Sequence, residues 1–256
     1  MAGLTGYVDE YGNITSEGIS KAVSVLNGMK RILSNIVVKE VYVFATASLR
    51  NIGNTEEARD KINEQTGFDL QVISGEQETV YGYIGATHHL QTTEGILADI
   101  GGGSTELVFY KDGRVEKACS VPIGSLNMYS KHVKKLIPTK SELQTITEIV
   151  EAGPDEIDKP ESQSRLICGV GGTIRAACKL NNEVFEMPSS NRTLDIERLE
   201  EIIKTVRGND KGSFGHILKV VPERIHTIIP GMTILKTAIS AAKPLLSASM
   251  ASGKAF

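Results

Sequence analysis

The hydrophobic pattern along this chain alternates between two periods, one typical of amphipathic helices and one typical of short buried strands. The first clear element is a helix from Ser16 to about Ser34. Its apolar positions lie three, four or seven residues apart: Ile19, Val23, Leu26 and Leu33. An alternating segment, 37–45, predicts a strand, and it is followed by a predicted helix to about Thr66 and a strand at 69–73. This succession of helices and strands favours an α/β fold.

The centre of the chain predicts a β-hairpin. A short apolar run, Ile96-Leu97-Ala98, ends in Asp99, three glycines follow at positions 101–103, and a second apolar run occupies 107–110. Apolar runs of this length that are flanked by glycine are typical of buried strands joined by a tight turn. A third strand is expected at 115–122.

The second half of the chain predicts further strands and helices. A helix begins after Thr139 and ends near Ala152, and the polar segment 153–163 is expected to form a surface loop. The run 166–169 predicts a strand that leads through a Gly-Gly turn into a helix. Residues 181–191 are expected to be irregular. Two more helices are indicated by the apolar periodicity of 196–206 and of 232–239.

Composition limits the classes of function. The chain has 256 residues, enough for one large or two modest domains, with 40% hydrophobic and 23% charged residues. Its net charge of -3 gives no global field that would attract nucleic acid or an anionic membrane. Cys119, Cys168 and Cys178 lack the spacing of a zinc site or a disulfide framework, so we expect them in the core. No apolar run could span a bilayer and no signal peptide is indicated, so the expected location is cytoplasmic.

The turn of the central hairpin has the chemistry of an anion-binding loop. Gly101, Gly102 and Gly103 permit close approach of the backbone to a ligand, and successive N–H groups in such a turn form an anion-binding concavity. Ser104 and Thr105 add hydroxyl donors. Carboxylates precede and follow the turn at Asp99 and Glu106, and carboxylates beside a phosphate indicate a divalent cation between them. The alternative is an ordinary glycine-rich hairpin.

The segment DIGGGSTELVF resembles the second phosphate loop of the exopolyphosphatase and guanosine pentaphosphate phosphohydrolase (Ppx/GppA) family. Four other segments are similar to motifs of that family and occur in the same order: ATASLRNIGN, ISGEQET, SVPIG and GVGGT. Two short matches follow, PER and IPG, so the resemblance extends from about Tyr7 to about Gly231. It implies the actin-like ATPase superfamily of sugar kinases, Hsp70 and actin, with ribonuclease H-like domains.

The resemblance also implies roles for individual residues. Arg50 would face the phosphate cleft, although an Arg at this position is also compatible with an ordinary surface residue. Glu78 would act as the general base, whereas the alternative for Glu76 and Glu78 is stabilisation of a helix dipole in the first turn. The remaining family positions would bind phosphate or Mg²⁺. Phosphate would be held by Arg50, Gly101, Gly102, Gly103, Ser104, Thr105, Gly171, Gly172 and Thr173, and Mg²⁺ by Asp99 and Glu106.

The family's first phosphate loop has no counterpart in residues 1–13, which contain no apolar strand. We therefore expect an N-terminal α/β domain at 1–95 that lacks its first hairpin, and a second actin-like domain at 96–256. Loss of one of two phosphate clamps should slow phosphoryl transfer, which depends on positioning and charge neutralisation.

The function implied by the resemblance is hydrolysis of a terminal phosphate in inorganic polyphosphate or guanosine pentaphosphate. Two alternatives remain open: a binder of polyphosphate or guanosine tetraphosphate with little turnover, and a kinase of the same superfamily. The family often forms homodimers, which are a possibility here. The sequence does not distinguish the two substrates.

Overall fold

The computed structural model describes residues 3–87, 94–153, 166–208, 213–241 and 249–252. The chain divides into two compact units, Met1–Glu78 and Thr79–Phe256. The division falls within a helix, Gly75–Thr87, and thus nearer the N-terminus than the boundary expected after residue 95. Tyr83 of this helix accounts for that position, because it packs in one cluster with Leu97 and Val108 of the second unit.

The first unit combines helices with a small parallel sheet. Its core is formed by Ile14, Ile19, Leu49, Ile62 and Leu70, all less than a tenth exposed. The elements are α1 (Ser16–Leu33), β1 (Val43–Ala45), α2 (Ala47–Arg50), α3 (Thr55–Thr66), β2 (Leu70–Val72) and the first turn of α4 (Gly75–Thr87). The strands β1 and β2 pair in parallel from Val43↔Leu70 to Ala45↔Val72. The predictions for α1, α3 and the start of α4 are confirmed.

The strand expected at 37–45 is shorter than predicted. Only Val43–Ala45 is a strand, because within the described residues β1 pairs with β2 alone and over three positions. The alternating segment before it is largely exposed, with Val37 fully accessible and Tyr42 at 78%. The alternating pattern of 37–45 predicted that one face of this segment would be buried. Within the described residues, nothing packs on most of that face.

The second unit contains a six-stranded mixed sheet in the order β5-β4-β3-β6-β8-β7. Its strands are β3 (Glu94–Ile100), β4 (Thr105–Lys111), β5 (Arg114–Val121), β6 (Leu166–Val170), β7 (Thr193–Asp195) and β8 (Ser249–Ser252). The pairs β3–β4, β4–β5 and β7–β8 are antiparallel, whereas β3–β6 and β6–β8 are parallel. The predicted central hairpin is thereby confirmed.

Alternate residues of β3 face two different layers. Ile96, Ala98 and Ile100 belong to the main core, together with residues of the later helices. Leu97 points to the opposite face, where Tyr83 packs at 5.3 Å from the ring of Tyr110. The helices of this unit are α5 (Ser125–His132), α6 (Lys140–Glu151), α7 (Gly171–Val184), α8 (Ile196–Val206), α9 (Gly215–Val220) and α10 (Ile228–Ala241).

The prediction that residues 181–191 are irregular is wrong in its first part, because α7 continues to Val184. The side chain of Asn181 is 2% exposed and Leu180 is fully buried, so tertiary packing extends the helix through a polar sequence. The surface loop expected at 153–163 lies outside the described residues after Gly153. No described helix has both the length and the apolarity needed to cross a membrane.

Candidate phosphate-binding site

The two carboxylates that flank the central turn lie opposite each other in the hairpin. Asp99 on β3 is the direct cross-strand partner of Glu106 on β4, so both side chains leave the same face of the sheet. Glu106 is only 4% exposed and accepts a hydrogen bond of 2.9 Å from the Ser120 hydroxyl on β5. The sheet therefore places two acidic side chains side by side at the end where the glycine turn begins.

The glycine turn directs its carbonyl groups toward the start of α5. The Gly101 carbonyl accepts from the Ser125 N–H at 2.9 Å and from its hydroxyl at 3.0 Å. The Gly102 carbonyl accepts two further backbone N–H groups, and the Gly103 carbonyl accepts from the Asn127 amide. The N–H groups of Gly102 and Gly103 have no acceptor among the described residues. These two N–H groups are therefore available as donors, while the carbonyls of the three glycines are already bonded. Such an arrangement is suited to binding an anion.

The glycines at positions 101–103 are not required for left-handed backbone. None of Gly101, Gly102 and Gly103 has φ in the positive range. A side chain on Gly102 would contact Leu126 of α5 at 3.5 Å. This is an ordinary van der Waals contact, so space does not require glycine at position 102; the close approach is at Gly124, before α5, where a Cβ atom would overlap the backbone of Gly102 and Gly103.

The two threonines that were predicted to contact phosphate have buried hydroxyl groups with backbone partners. Thr105 donates to the Ile123 carbonyl at 2.6 Å and is 1% exposed. Thr173 donates to the Ile100 carbonyl at 2.8 Å and is 2% exposed. Both hydroxyls therefore hold the two turns in place, and a direct contact of either with phosphate stays a prediction. Ser104 is also buried.

The second turn brings a helix N-terminus against Asp99. Gly171, the first residue of α7, has φ of +82°, a conformation that favours glycine. A Cβ atom at this position would overlap the carboxylate of Asp99. Asp99 therefore lies against the start of α7, where the helix dipole stabilises negative charge. The structure thus brings Asp99, Glu106 and the turn 171–173 together in one unit.

Arg224 is a candidate functional residue that the sequence analysis did not assign. Its guanidinium lies over Gly172, so closely that a Cβ atom there would overlap it. Burial lowers the pKa of Arg224, and the neighbouring charge of Arg175 lowers it further, against an opposing effect from Glu223. Two guanidinium groups at the start of α7 would be stabilised by a bound anion. The motif PER was noticed in the sequence, but its proximity to Gly172 requires the tertiary fold.

Arg50 and Glu78 form an ion pair in the first unit. Nη1 of Arg50 lies 2.8 Å from Oε2 of Glu78, with side-chain exposures of 19% and 24%. Glu78 lies in the first turn of α4, which begins with a capping box of reciprocal bonds between Ser74 and Gln77 at 2.9 and 3.0 Å. Glu76 is exposed. The side chain of Asn54, the residue before α3, accepts from the backbone N–H of Ile14 and donates to its carbonyl.

Asp99 and Glu106 provide a donor set that fits Mg²⁺. The described residues contain no group of three or more His, Cys, Asp or Glu side chains that could hold a metal. Mg²⁺ commonly binds through one or two carboxylates, with water and substrate phosphates as its other ligands. A buried Glu106 and a partly exposed Asp99, side by side next to a turn suited to an anion, agree with that preference.

Comparisons with known proteins show the family to which this chain belongs. The sequence profile of the Ppx/GppA phosphatase family matches residues 3–247. This chain belongs to the Ppx/GppA phosphatase family. Exopolyphosphatase 1 of Mycobacterium bovis is 23% identical over 248 residues, covering 93% of this chain and 71% of that protein.

Solved structures of the family have the same fold. The Ppx/GppA family member of Aquifex aeolicus is 25% identical, with a TM-score of 0.74 over 99% of this chain and 82% of that one. An exopolyphosphatase from Cytophaga hutchinsonii is 16% identical, with a TM-score of 0.76 over 95% of this chain and 80% of that one. The predicted α/β fold of the actin-like ATPase type is confirmed, and family membership supports a phosphate-releasing hydrolase.

Proposed function

We propose that this protein hydrolyses the terminal phosphoanhydride bond of inorganic polyphosphate or guanosine pentaphosphate. The observation that supports it is the glycine turn, whose N–H groups at positions 102 and 103 are left for an anion while the carbonyls of its three glycines are bonded to α5. Asp99 and Glu106 lie beside this turn. Relatives named as exopolyphosphatases cover most of the chain, which favours polyphosphate as the substrate class.

In this proposal each group acts on a different part of the reaction. The N–H groups of the glycine turn and the start of α7 bind phosphate oxygens, and Arg224 neutralises charge next to Gly172. Glu78 accepts the proton of the attacking water, and Arg50 holds that carboxylate in one orientation through its ion pair. Asp99 and Glu106 would hold Mg²⁺, which supplies charge neutralisation to the phosphates.

The experiment that tests this proposal is phosphate release from long-chain polyphosphate in the presence of Mg²⁺. Glu78→Gln removes the proposed base and should reduce the rate at least about a hundredfold, since general-base catalysis contributes about 10²–10⁴. Glu76→Gln is the matched control, because Glu76 is an exposed carboxylate in the same helical turn. Guanosine pentaphosphate as a second substrate separates the two candidates by their kcat/KM values.

Three results would contradict the proposal in different ways. Equal rates in wild type and Glu78→Gln would exclude this base. Polyphosphate binding without release in any variant would favour the binding function instead. Transfer of label from ATP to an acceptor would favour the kinase alternative, against which the helix start SGEQE argues.

A further inference from the structure

A groove separate from the two glycine turns runs between three helices of the second unit. Its volume is about 400 Å³, within the range of small-molecule sites. One wall is α6, the other is α8, and α10 packs against both, so that α10 forms the floor. Each helix contributes one stripe of side chains at spacings of three and four residues. None of these side chains was assigned a role in the proposed hydrolysis.

The charged side chains that line the groove are mostly cationic. Four basic side chains line it, Lys140, Lys204, Arg207 and Lys236, against the two carboxylates Glu151 and Glu200. Glu200 binds Lys204 and Lys236 at 2.9 Å each. Lys140 and Arg207 have no carboxylate within ion-pair distance among the described residues. Glu151 also has no ion-pair partner among the described residues, so the six charged side chains that line the groove carry a net charge of +2.

The floor of the groove is polar at the positions where α10 faces it. Thr237 is 7% exposed and lines the groove, and its hydroxyl has no hydrogen-bond partner within the described ranges. Ser240, one turn further along the helix, is exposed, and its hydroxyl likewise has no protein partner in the described part of the chain. A hydroxyl group near unpaired cations can donate a hydrogen bond to an oxyanion that the cations attract. An apolar side chain at the same position could not donate that bond.

We propose that this groove binds an oligophosphate, an anion with several phosphate groups in a row. Lys140 and Arg207 would contact it from opposite walls, and the hydroxyls of Thr237 and Ser240 would donate to it from the floor. Because the groove shares no residue with the glycine turns, this inference does not rest on the proposed hydrolytic function.

Binding at the groove is measured by NMR titration of tripolyphosphate into the full chain, followed at the methyl groups of Thr233, Thr237 and Ile203. These methyls line the groove, so their shifts report on it and not on the glycine turns. We expect a saturable shift in wild type and at least a tenfold higher Kd in Lys140→Gln/Arg207→Gln. The control Lys131→Gln/Lys179→Gln removes two exposed charges from α5 and α7 and should leave the Kd unchanged.

A second variant changes the affinity in the opposite direction. Glu200→Gln removes a negative charge and releases Lys204 and Lys236, so the Kd for tripolyphosphate should fall severalfold. Absence of groove shifts in wild type, or equal Kd values in all variants, would overturn the proposal. GTP as a separate titrant identifies the source of the phosphates. If GTP and tripolyphosphate have equal Kd values, the groove recognises only the row of phosphates. If GTP has the lower Kd, its nucleoside adds contacts. Phosphate release, measured in parallel, should be unchanged in the groove variants.

Discussion

Arg50 and Glu78 are joined by a contact of 2.8 Å, and the same Nη1 atom of Arg50 donates to the Ile73 carbonyl at 3.2 Å. Arg50 lies at the end of α2, which follows β1, and Glu78 lies in α4, which follows β2. Because β1 and β2 are parallel, their carboxyl ends meet at one edge of the sheet, where ligands commonly bind in open α/β sheets. The ion pair therefore fixes the orientation of the proposed base.

Replacement of Arg50 should affect the rate more than the stability. In Arg50→Met the Glu78 carboxylate loses its partner, so we expect kcat for phosphate release to fall at least about tenfold, as is common when a catalytic group is misplaced. The free energy of unfolding should change by less than about 1 kcal/mol, because partly exposed ion pairs contribute little. Steady-state kinetics and urea denaturation measure the two effects.

The matched control for this variant is Lys61→Met, which removes the Lys61–Glu57 ion pair on the exposed surface of α3. Its kcat should equal that of wild type. A fall in kcat of similar size in both variants would mean that Arg50 has no specific role.

Local sequence patterns predicted most elements of this fold. The helices α1, α3, α6 and α8 and the central hairpin follow from periodicity and turn residues, because their apolar faces are buried within one unit. The length of β1 was overestimated, because strand formation depends on a neighbouring strand that alternation does not reveal. The extension of α7 through Asn181 likewise depends on packing.

The candidate site was predictable only in part. The register that pairs Asp99 with Glu106 follows from a four-residue turn between two recognisable strands. The contact of Arg224 with Gly172 joins segments that are distant in the sequence, and no local pattern indicates it. The roles of Thr105 and Thr173 in bonding the backbone were also not predicted, since a hydroxyl beside a glycine turn has the same sequence signature in either role.

Gly171→Ala should destabilise the protein more than Gly113→Ala. Both glycines have positive φ, +82° and +74°, so each substitution should cost about 1 kcal/mol or more for left-handed backbone. A Cβ at Gly113 meets nothing, whereas at Gly171 it overlaps the Asp99 carboxylate. We therefore expect a further loss of about 2 kcal/mol for Gly171→Ala in urea denaturation. Equal losses in the two variants would show that Asp99 does not constrain this position.

The carboxyl group of Glu200 should titrate far below its ordinary range. The hydrogen bond from Lys236, followed by that from Lys204, lowers the pKa of Glu200 from 4.5 to about 2. Because the pKa is lowered in the folded state, these ion pairs stabilise the protein above pH 4.5, and their contribution is lost as the pH falls toward 2. Glu200 is half exposed, so the loss should be below about 1 kcal/mol.

NMR titration of the carboxyl carbon measures the midpoint of Glu200 directly. Lys236→Met should raise the pKa more than Lys204→Met, because Lys236 makes the larger contribution. A midpoint near 4.5 in the wild-type protein would show that these ion pairs are not formed in solution.

Asp99→Asn should increase the Mg²⁺ concentration that is required for phosphate release. The substitution removes one of the two paired carboxylates at the glycine turn, which weakens the proposed Mg²⁺ site while it preserves the size of the side chain. We expect at least a tenfold increase in the half-saturating Mg²⁺ concentration, and chelation by EDTA should abolish release in wild type and variant alike.

The control for this metal dependence is Asp112→Asn. Asp112 lies in the turn after β4 and has φ of 51°, a conformation that asparagine also adopts readily. This variant removes the same charge at a distance from the glycine turn, so its Mg²⁺ dependence should match wild type. If Asp99→Asn and Asp112→Asn have the same half-saturating concentration, Asp99 does not bind the metal, and its contact with the start of α7 is then its principal role. In that case Asp99→Asn should lower the free energy of unfolding, because a carboxylate at a helix N-terminus contributes about 0.3–1 kcal/mol through the helix dipole.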